Sequence, residues 1–363
     1  MKEEKPVTEN ESAGVEPAFT PLGTPPEPPV RSREGDIIHT SPELAVGEGD
    51  VRSAEMGAGL VHGTSLWRDA WKRLLKNKLA VFGMIIVVLI TLASIIGPPI
   101  IKKTTGYTYD FIPRDVTFIK SLPPFTTPEG TFSWSHPMGT DNSGRDILAR
   151  VLIGGRISLM VGIISTIVSL IIGVSYGAIA GYLGGKTDNV MMRIVDILYS
   201  LPYLILVIVL LALFGGKSPL GQLVLLFIAL GSVSWLTMAR IVRGQIISLK
   251  NQEFVQAARA TGVTTMKIIF RHLVPNTLGP VIIYATLTIP SVMLTEAFLS
   301  FLGFGVQAPL ASWGSLASDG IQNIAIFPWQ LIFPGVTMAL TLFSLNFLGD
   351  GLRDALDPQM RKV

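Results

Sequence analysis

The chain has 363 residues, of which 49% are hydrophobic and 15% are charged, and its formal net charge at pH 7 is +3. Soluble chains carry about 25% charged residues, so this composition argues against a purely soluble protein. The sequence contains no Cys, which excludes disulfides, thiolate metal sites and a thiol nucleophile. The four His residues are scattered without ligand spacing, so we expect no metal site.

The N-terminal segment, residues 1–64, is rich in Pro, Glu, Gly, Ser and Thr and contains few large apolar side chains. Such a segment cannot bury enough apolar surface to offset its ordering entropy, so we predict a disordered cytoplasmic tail. A regulatory or docking role is the alternative. The first apolar run begins near residue 79, which is too far from the N-terminus for a cleavable signal peptide.

A basic segment at 66–78 precedes this first apolar run. Trp67, Trp71 and Leu74 recur in it at helical spacing, among five Lys and Arg residues. This pattern is typical of an amphipathic helix that lies at a membrane interface. We therefore predict that residues 65–101 form an amphipathic lead-in and the first transmembrane helix.

Six apolar segments are long enough to cross a bilayer, which needs about 20 residues per helix. They are continuous rather than alternating, and lipid tolerates only backbone that is hydrogen-bonded internally, so we predict helices. The fold class is therefore an all-α membrane protein with six transmembrane helices, at about 79–101, 157–182, 195–214, 219–237, 277–301 and 329–349. We further predict an extracytoplasmic loop at 102–156, a core with five spans at 157–350 and a C-terminal segment at 351–363.

The Lys and Arg residues next to the spans predict the orientation. With a cytoplasmic N-terminus, each cytoplasmic segment holds between two and six basic residues, at 66–78, 183–194, 239–276 and 350–363. The short outer loops 215–218 and 302–328 hold one and none, which is the positive-inside pattern. The outer loop 102–156 holds seven, but it is long and also carries five acidic residues. We predict that both termini are cytoplasmic.

The cytoplasmic segment 239–276 is too polar to cross a membrane but is regularly patterned. A first short helix is predicted to end at Gly262, since Gly readily adopts the left-handed conformation at a helix C-terminus. Thr264 or Thr265 is a candidate N-cap for a second helix, which Pro275 is predicted to stop. The apolar face of this second helix is predicted to comprise Met266, Ile269, Phe270 and Leu273. The residues alone leave two interpretations open, a docking surface or a hairpin that only joins two spans.

The same segment resembles the "EAA" motif of permease subunits in ATP-binding-cassette importers. That motif reads Glu-Ala-Ala, three residues, Gly, and nine residues further on Ile-x-Leu-Pro. Here it stands as Gln256-Ala257-Ala258, Gly262 and His272-x-Val274-Pro275, with the Ala pair, Gly and Pro kept. The resemblance implies that the loop at 248–275 forms a coupling helix that docks on a cytoplasmic ATPase, through Gln256, Ala257, Ala258, Gly262 and Pro275.

Further segments resemble the C-type membrane subunit of oligopeptide and dipeptide permeases. They are HPMGTDNSGRDILARVLIGGRISLMVG (136–162), GYLGGKTDNVMMRIVDILYSLP (181–202), EAFLSFLGFGVQAPLASWGSLASDG (296–320) and LNFLGDGLRDALDP (345–358). With the coupling loop, they extend the resemblance over about residues 66–358. It implies a multi-pass permease subunit for small peptides in the plasma (inner) membrane of a bacterium or an archaeon.

This resemblance also implies partners. They are a homologous second permease subunit, two cytoplasmic ATP-binding-cassette ATPases, an extracytoplasmic substrate-binding protein, peptide cargo and membrane lipid, but no nucleic acid. The sequence offers no catalytic residues and no nucleotide-binding motif, so ATP and Mg are expected on the partner ATPases and no cofactor on this chain. Nickel chelates and oligosaccharides are alternative cargoes, because the C-type subunits of those importers look alike.

Glu296 and two Pro residues interrupt the apolar runs. An ionisable group is costly in lipid, so Glu296 should face the helix bundle or a water-filled path. It is either a translocation-path residue or a structural partner of a backbone or Arg group. Pro202 and Pro290 are predicted to kink their helices. A secondary transporter is the weaker alternative function, since the spans offer only Glu296, Asp196 and Asp350 as ion-binding groups.

Overall fold

The computed structural model of the chain describes residues 66–113, 121–215 and 218–356. The predicted tail at 1–64, part of the loop at 102–156 and the end of the C-terminal segment lie outside these ranges. The described residues form helices α1 (Leu66–Lys76), α2 (Lys78–Thr105), α3 (Ile147–Leu183), α4 (Gly185–Ser200), α5 (Tyr203–Phe214), α6 (Pro219–Leu249), α7 (Glu253–Ala260), α8 (Thr265–Lys267, Ile268–Leu273 and Val274–Asn276 in succession), α9 (Leu278–Phe301), α10 (Trp313–Ile321) and α11 (Trp329–Leu356).

Five of these helices are each long and apolar enough to cross a membrane, namely α2, α3, α6, α9 and α11. A sixth candidate is a pair, α4 and α5, whose directions differ by 82° across a short break, as in a broken span or a re-entrant loop. The described residues include two isolated β-bridges and no strand. The predicted all-α membrane fold is therefore confirmed, with five single-helix spans and one bent pair.

The break between α4 and α5 lies at Pro202. Pro has no backbone N–H for a continuous helix, and it pushes the residue before it toward extended backbone. α4 accordingly ends at Ser200, and Leu201 is extended with φ −76° and ψ 136°. The predicted kink is thus a full break, whereas Pro290 lies inside α9 without ending it.

The second span begins at Ile147, so the predicted boundary at residue 157 is wrong. Asp146 caps α3 by accepting a hydrogen bond from the backbone N–H of Ala149 at 2.7 Å. The same carboxylate accepts a 2.8 Å bond from the ring of His136. This cap starts the helix well before its apolar run, and the last part of the predicted outer loop belongs to α3.

The fourth span is also longer than its apolar run, since α6 continues to Leu249 instead of ending near 237. Two carboxylates of α4 neutralise the cations on this extension. The guanidinium of Arg243 donates to Asp188 at 2.5 and 2.6 Å, and Arg240 donates to Asp196 at 2.8 Å. Paired in this way, the polar half of α6 stays helical.

A row of glycines brings α3 and α6 together. Gly173, Gly177 and Gly181 stand four residues apart and therefore share one helix face. A Cβ at Gly177 would overlap the carbonyl oxygen of Ala239, and one at Gly181 would lie 2.8 Å from the carbonyl oxygen of Arg243. Small residues at this spacing let two helix backbones approach closely within a membrane.

Helix α1 occupies the position of the predicted amphipathic lead-in and ends at Lys76. Asn77 separates it from the first span and caps α2, because its side chain accepts hydrogen bonds from the backbone N–H groups of Leu79 and Ala80. Leu74 is 2% exposed and packs with Ala80 of α2 and Ala355 of α11, whereas Trp71 stays exposed. One face of α1 is therefore fixed to the bundle, and the other is free for a membrane interface.

Candidate coupling site

The first helix of the predicted coupling loop is α7, and it ends as expected at Gly262. This Gly has a φ of +75°, a conformation that residues with a Cβ rarely adopt. Its N–H donates to the carbonyl of Arg259, and the N–H of Val263 donates to the carbonyl of Ala258. This pair of bonds is a Schellman motif, which satisfies the last carbonyls of the helix and turns the chain sharply.

The two faces of α7 differ in burial. Val255 and Ala258 are buried, and they pack in one apolar cluster with residues of α3, α6, α8 and α9. Gln256 and Ala257 are exposed, as is the neighbouring Phe254. α7 thus uses one face to join the membrane helices and presents a second face on which a partner can dock.

The second helix, α8, differs from the prediction in its register. Ile268, Ile269 and Leu273 are buried, but Met266 and Phe270 are 56% and 45% exposed. The turn from Ile268 to Leu273 is a π-helix, which takes more residues per turn than an α-helix and rotates the following side chains. The predicted apolar face is therefore half wrong.

Two further local predictions for α8 have different outcomes. Thr264 occupies the N-cap position, but within the described residues its side chain makes no capping bond. The predicted stop at Pro275 is confirmed to within one residue, since α8 ends at Asn276 and α9 follows after Thr277. The π-turn ends two residues before Pro275, and such a wider turn gives room to a ring that would clash with the carbonyl four residues earlier.

Polar contacts tie α7 to the membrane helices. The guanidinium of Arg259 lies 5.1 Å from the centre of the Tyr182 ring, and its Nε donates to the Tyr182 hydroxyl at 3.2 Å. Lys250, between α6 and α7, donates to the carbonyl of Gly181 at 3.0 Å. Gly181 and Tyr182 are at the end of α3, so these contacts join the coupling loop to the second span.

Glu296 lies at the other end of the spans and is 1% exposed. Its carboxylate accepts hydrogen bonds from the hydroxyls of Ser312 at 2.6 Å and Ser300 at 2.7 Å, with Ser158 at 3.5 Å. The partners are thus Ser hydroxyls, not the backbone or Arg group that the sequence suggested. They connect α9 with α3 and with the N-cap of α10. A role of Glu296 in a translocation path stays a prediction.

Family models match most of the chain. One, described as a binding-protein-dependent transport system inner membrane component, matches residues 173–362, which is more than half of the 363 residues. A second, described as the N-terminal TM domain of oligopeptide transport permease C, matches residues 65–124. The first match contains the coupling loop with α7 and α8.

Individual relatives extend this likeness. The chain is 49% identical over 301 residues to the oligopeptide transport system permease protein OppC of Haemophilus influenzae, with 83% of this chain and 91% of that protein covered. It is 44% identical over 299 residues to the dipeptide transport system permease protein DppC of Bacillus subtilis, with 82% and 87% covered. A chain of the MetNI methionine ABC transporter aligns with a TM-score of 0.46 and 21% identity, over 58% of this chain and 98% of that chain.

Proposed function

Because the chain belongs to the family of binding-protein-dependent transport system inner membrane components, we propose that it is a permease subunit of an ATP-driven importer of small peptides. The peptide cargo is supported by the relatives of 49% and 44% identity, which are an oligopeptide and a dipeptide permease protein. Both alignments run over most of the length of the relatives. The chain is therefore a transport subunit, and ATP hydrolysis belongs to separate partner subunits.

The proposed assembly contains a homologous second permease and two cytoplasmic ATPases that bind ATP and Mg. An extracytoplasmic substrate-binding protein delivers the peptide. The chain crosses the bacterial inner membrane several times, with both termini in the cytoplasm. This orientation is supported by the excess of Lys and Arg in four segments next to the spans, one of which contains α7 and α8.

The observation that carries the proposed coupling is the two-faced helix α7. Its exposed face, which includes Gln256 and Ala257, offers the docking surface for an ATPase. Its buried face and the contacts of Arg259 and Lys250 connect it to α3. When ATP draws the two ATPases together, α7 moves with its ATPase and shifts the spans between inward-facing and outward-facing states. The bias comes from the different contacts of the two states.

The test of this proposal is co-purification from a mild detergent with mass spectrometry of the bound proteins. We expect two ATPases and a second permease with the wild-type chain. An Ala257→Arg variant should lose the ATPases and keep the second permease, because the longer cationic side chain fills the exposed docking face of α7. Ala325→Arg is the matched control, since it makes the same change at an exposed Ala of the predicted outer loop 302–328.

The outcome that would contradict the proposal is equally direct. A chain that purifies alone and moves solute into vesicles without ATP would be a secondary transporter. If Ala257→Arg keeps its ATPases as well as Ala325→Arg does, the coupling site lies elsewhere on the chain.

A further inference from the structure

A cavity of about 480 Å³ lies beside the break between α4 and α5, with α6 and α9 as its other walls. Its volume is within the range of about 300–1,000 Å³ that is usual for small-ligand sites. More than half of its lining residues carry a hydroxyl group, and among the described residues that line it none is charged. Leu and Val side chains form the rest of the wall.

The α9 wall presents a stripe of hydroxyls on an otherwise apolar span. Tyr284, Thr288, Ser291 and Thr295 are spaced by four, three and four residues, so they share one face of the helix. Thr288 donates to the carbonyl of Tyr284 at 2.8 Å, and Thr295 donates to that of Ser291 at 3.0 Å. Because these protons are used within α9, the hydroxyl oxygens can accept hydrogen bonds from an occupant of the cavity.

The opposite wall supplies further hydroxyls, including tyrosines. Ser234 of α6 donates to the carbonyl of Leu230 at 2.8 Å, and its hydroxyl also makes a hydrogen bond with that of Tyr203. Tyr203 of α5 also lines the cavity, and so does Tyr199 of α4, whose hydroxyl lies 3.3 Å from that of Thr237. The cavity therefore holds both acceptors and donors, since a phenol can serve as either.

The position of the cavity agrees with a path through the membrane. Its α6 residues, 233–237, and its α9 residues, 284–295, lie in the middle parts of these spans. The interrupted backbone between α4 and α5 forms part of its wall, at Leu201. Irregular backbone at membrane depth is tolerated only where it is buried in protein or lines a water-filled cavity, and interrupted helices commonly form the substrate sites of transporters.

We infer that this cavity is a subsite that holds the backbone of the translocating peptide. The inference rests on the proposed import function and adds which residues contact the peptide and by which interactions. Hydroxyls accept from amide N–H groups and donate to carbonyls, which every peptide has whatever its sequence. The aliphatic and Tyr residues offer contact to apolar side chains. Without charged groups, the subsite does not select peptides by charge, and it accepts many sequences.

The test uses the absence of Cys from the chain, which makes any introduced Cys its single thiol. Ser291→Cys places this thiol in the cavity. Ile228→Cys is the matched control, since Ile228 is 56% exposed. It precedes the cavity residue Thr237 by nine residues, which is two and a half helical turns, so it lies on the opposite face of α6. The probe is a tripeptide with a bromoacetylated Lys side chain, added to the whole complex in vesicles with its binding protein and ATP. Thiol displacement of bromide is read by mass spectrometry of this chain.

We expect Ser291→Cys to be labelled about tenfold or more above Ile228→Cys, since a bound peptide holds its reactive group at a high effective concentration. An excess of unmodified tripeptide should lower this labelling. Equal labelling of the two variants, or labelling without competition, in a complex that imports the tripeptide would overturn the subsite alone. A wild-type complex without ATP-driven import would overturn the proposed function as well.

A second variant tests the same site by occupancy. Ser291→Trp fills the cavity, so tripeptide import should fall about tenfold or more, as when a substrate is displaced from its productive position. The ATPases should still co-purify, because Ser291 is far along the chain from α7. Unchanged import with Ser291→Trp would contradict the subsite.

Discussion

Two regions of the molecule differ in the exposure of their functional residues. One is the coupling region, which comprises α7 and α8, and the other is the Glu296 region at the opposite end of α9. In the coupling region Gln256, Ala257 and Gly262 are exposed, and the turn after α7 is formed by backbone hydrogen bonds between residues close in sequence. In the Glu296 region the carboxylate and Ser158 are almost completely buried, and Ser158 is 138 residues away in sequence.

This difference distinguishes a surface that binds a partner from a polar site that holds the helix bundle together. A surface that binds a partner must stay free, so its shape has to come from local backbone geometry. A polar group buried within a membrane bundle is stable only when its hydrogen bonds are made by other helices. We therefore expect substitutions in the Glu296 region to affect folding, and substitutions in the coupling region to affect mainly the ATPase interaction.

The largest effect is expected from Glu296→Leu. The change leaves the hydroxyls of Ser158, Ser300 and Ser312 without their carboxylate acceptor, and each unpaired buried group costs about 1–3 kcal/mol. The thermal midpoint and yield of the purified chain should fall strongly. Glu296→Gln, which keeps an acceptor oxygen, should lose much less. If Glu296→Gln instead folds normally and abolishes peptide import, Glu296 is a path residue and the structural interpretation is wrong.

The next effect is expected from Gly177→Val in the contact between α3 and α6. A Cβ there would overlap the carbonyl of Ala239, and overpacking of this kind costs about 1–3 kcal/mol. The measurement is again the thermal midpoint in detergent. Gly279→Ala is the control, because no described atom lies within 4 Å of its Cβ position. Equal midpoints for the two variants would show that α3 and α6 are not in close contact.

A smaller effect on stability is expected from Gly262→Ala. Forcing a residue with a Cβ into a φ of +75° costs about 1–2 kcal/mol. Since the turn orients α7, the ATPase rate of the complex should become insensitive to peptide-loaded binding protein even where the complex stays assembled. Gly244→Ala, inside α6 and without a close neighbour, is the matched control. Normal stimulation of Gly262→Ala would show that the orientation of α7 is unimportant.

The smallest effect is expected from Thr264→Ala, because this side chain makes no capping bond in the described structure. The free energy of unfolding should change by no more than about 0.5 kcal/mol. Asp146→Ala, at the cap of α3, should cost about 1 kcal/mol or more, since the carboxylate binds both Ala149 N–H and His136. Thermal midpoints of the two variants make the comparison. A Thr264→Ala loss as large as that of Asp146→Ala would contradict the assigned caps.

Features with a local cause could be predicted from the sequence. The end of α7 at Gly262 and the interruption at Pro202 each follow from the backbone preference of one residue. The spans follow from uninterrupted apolar runs. The amphipathic lead-in follows from helical spacing of Trp and Leu. In each case the information lies within a few residues of the feature.

Features set by distant contacts could not be predicted in this way. The extension of α6 to Leu249 depends on Asp188 and Asp196, which come from another helix. The start of α3 depends on the Asp146 cap. Asp is a visible N-cap candidate in the sequence, but the apolar run, which begins later, predicts a later start of the span. The exposed Phe270 lies within a π-turn that side-chain periodicity does not reveal, whereas the exposed Met266 precedes this turn.

The central claim is that α7 docks on a partner ATPase, and site-directed cross-linking tests it most directly. Ala257→Cys and Ala325→Cys each give the chain a single thiol at an exposed position, the second in the predicted outer loop 302–328. A short thiol-to-amine cross-linker is applied to the purified complex, and the products are identified by mass spectrometry. We predict a cross-link to an ATPase from Ala257→Cys that far exceeds that from Ala325→Cys. No ATPase product from Ala257→Cys in an assembled, ATP-hydrolysing complex would contradict it.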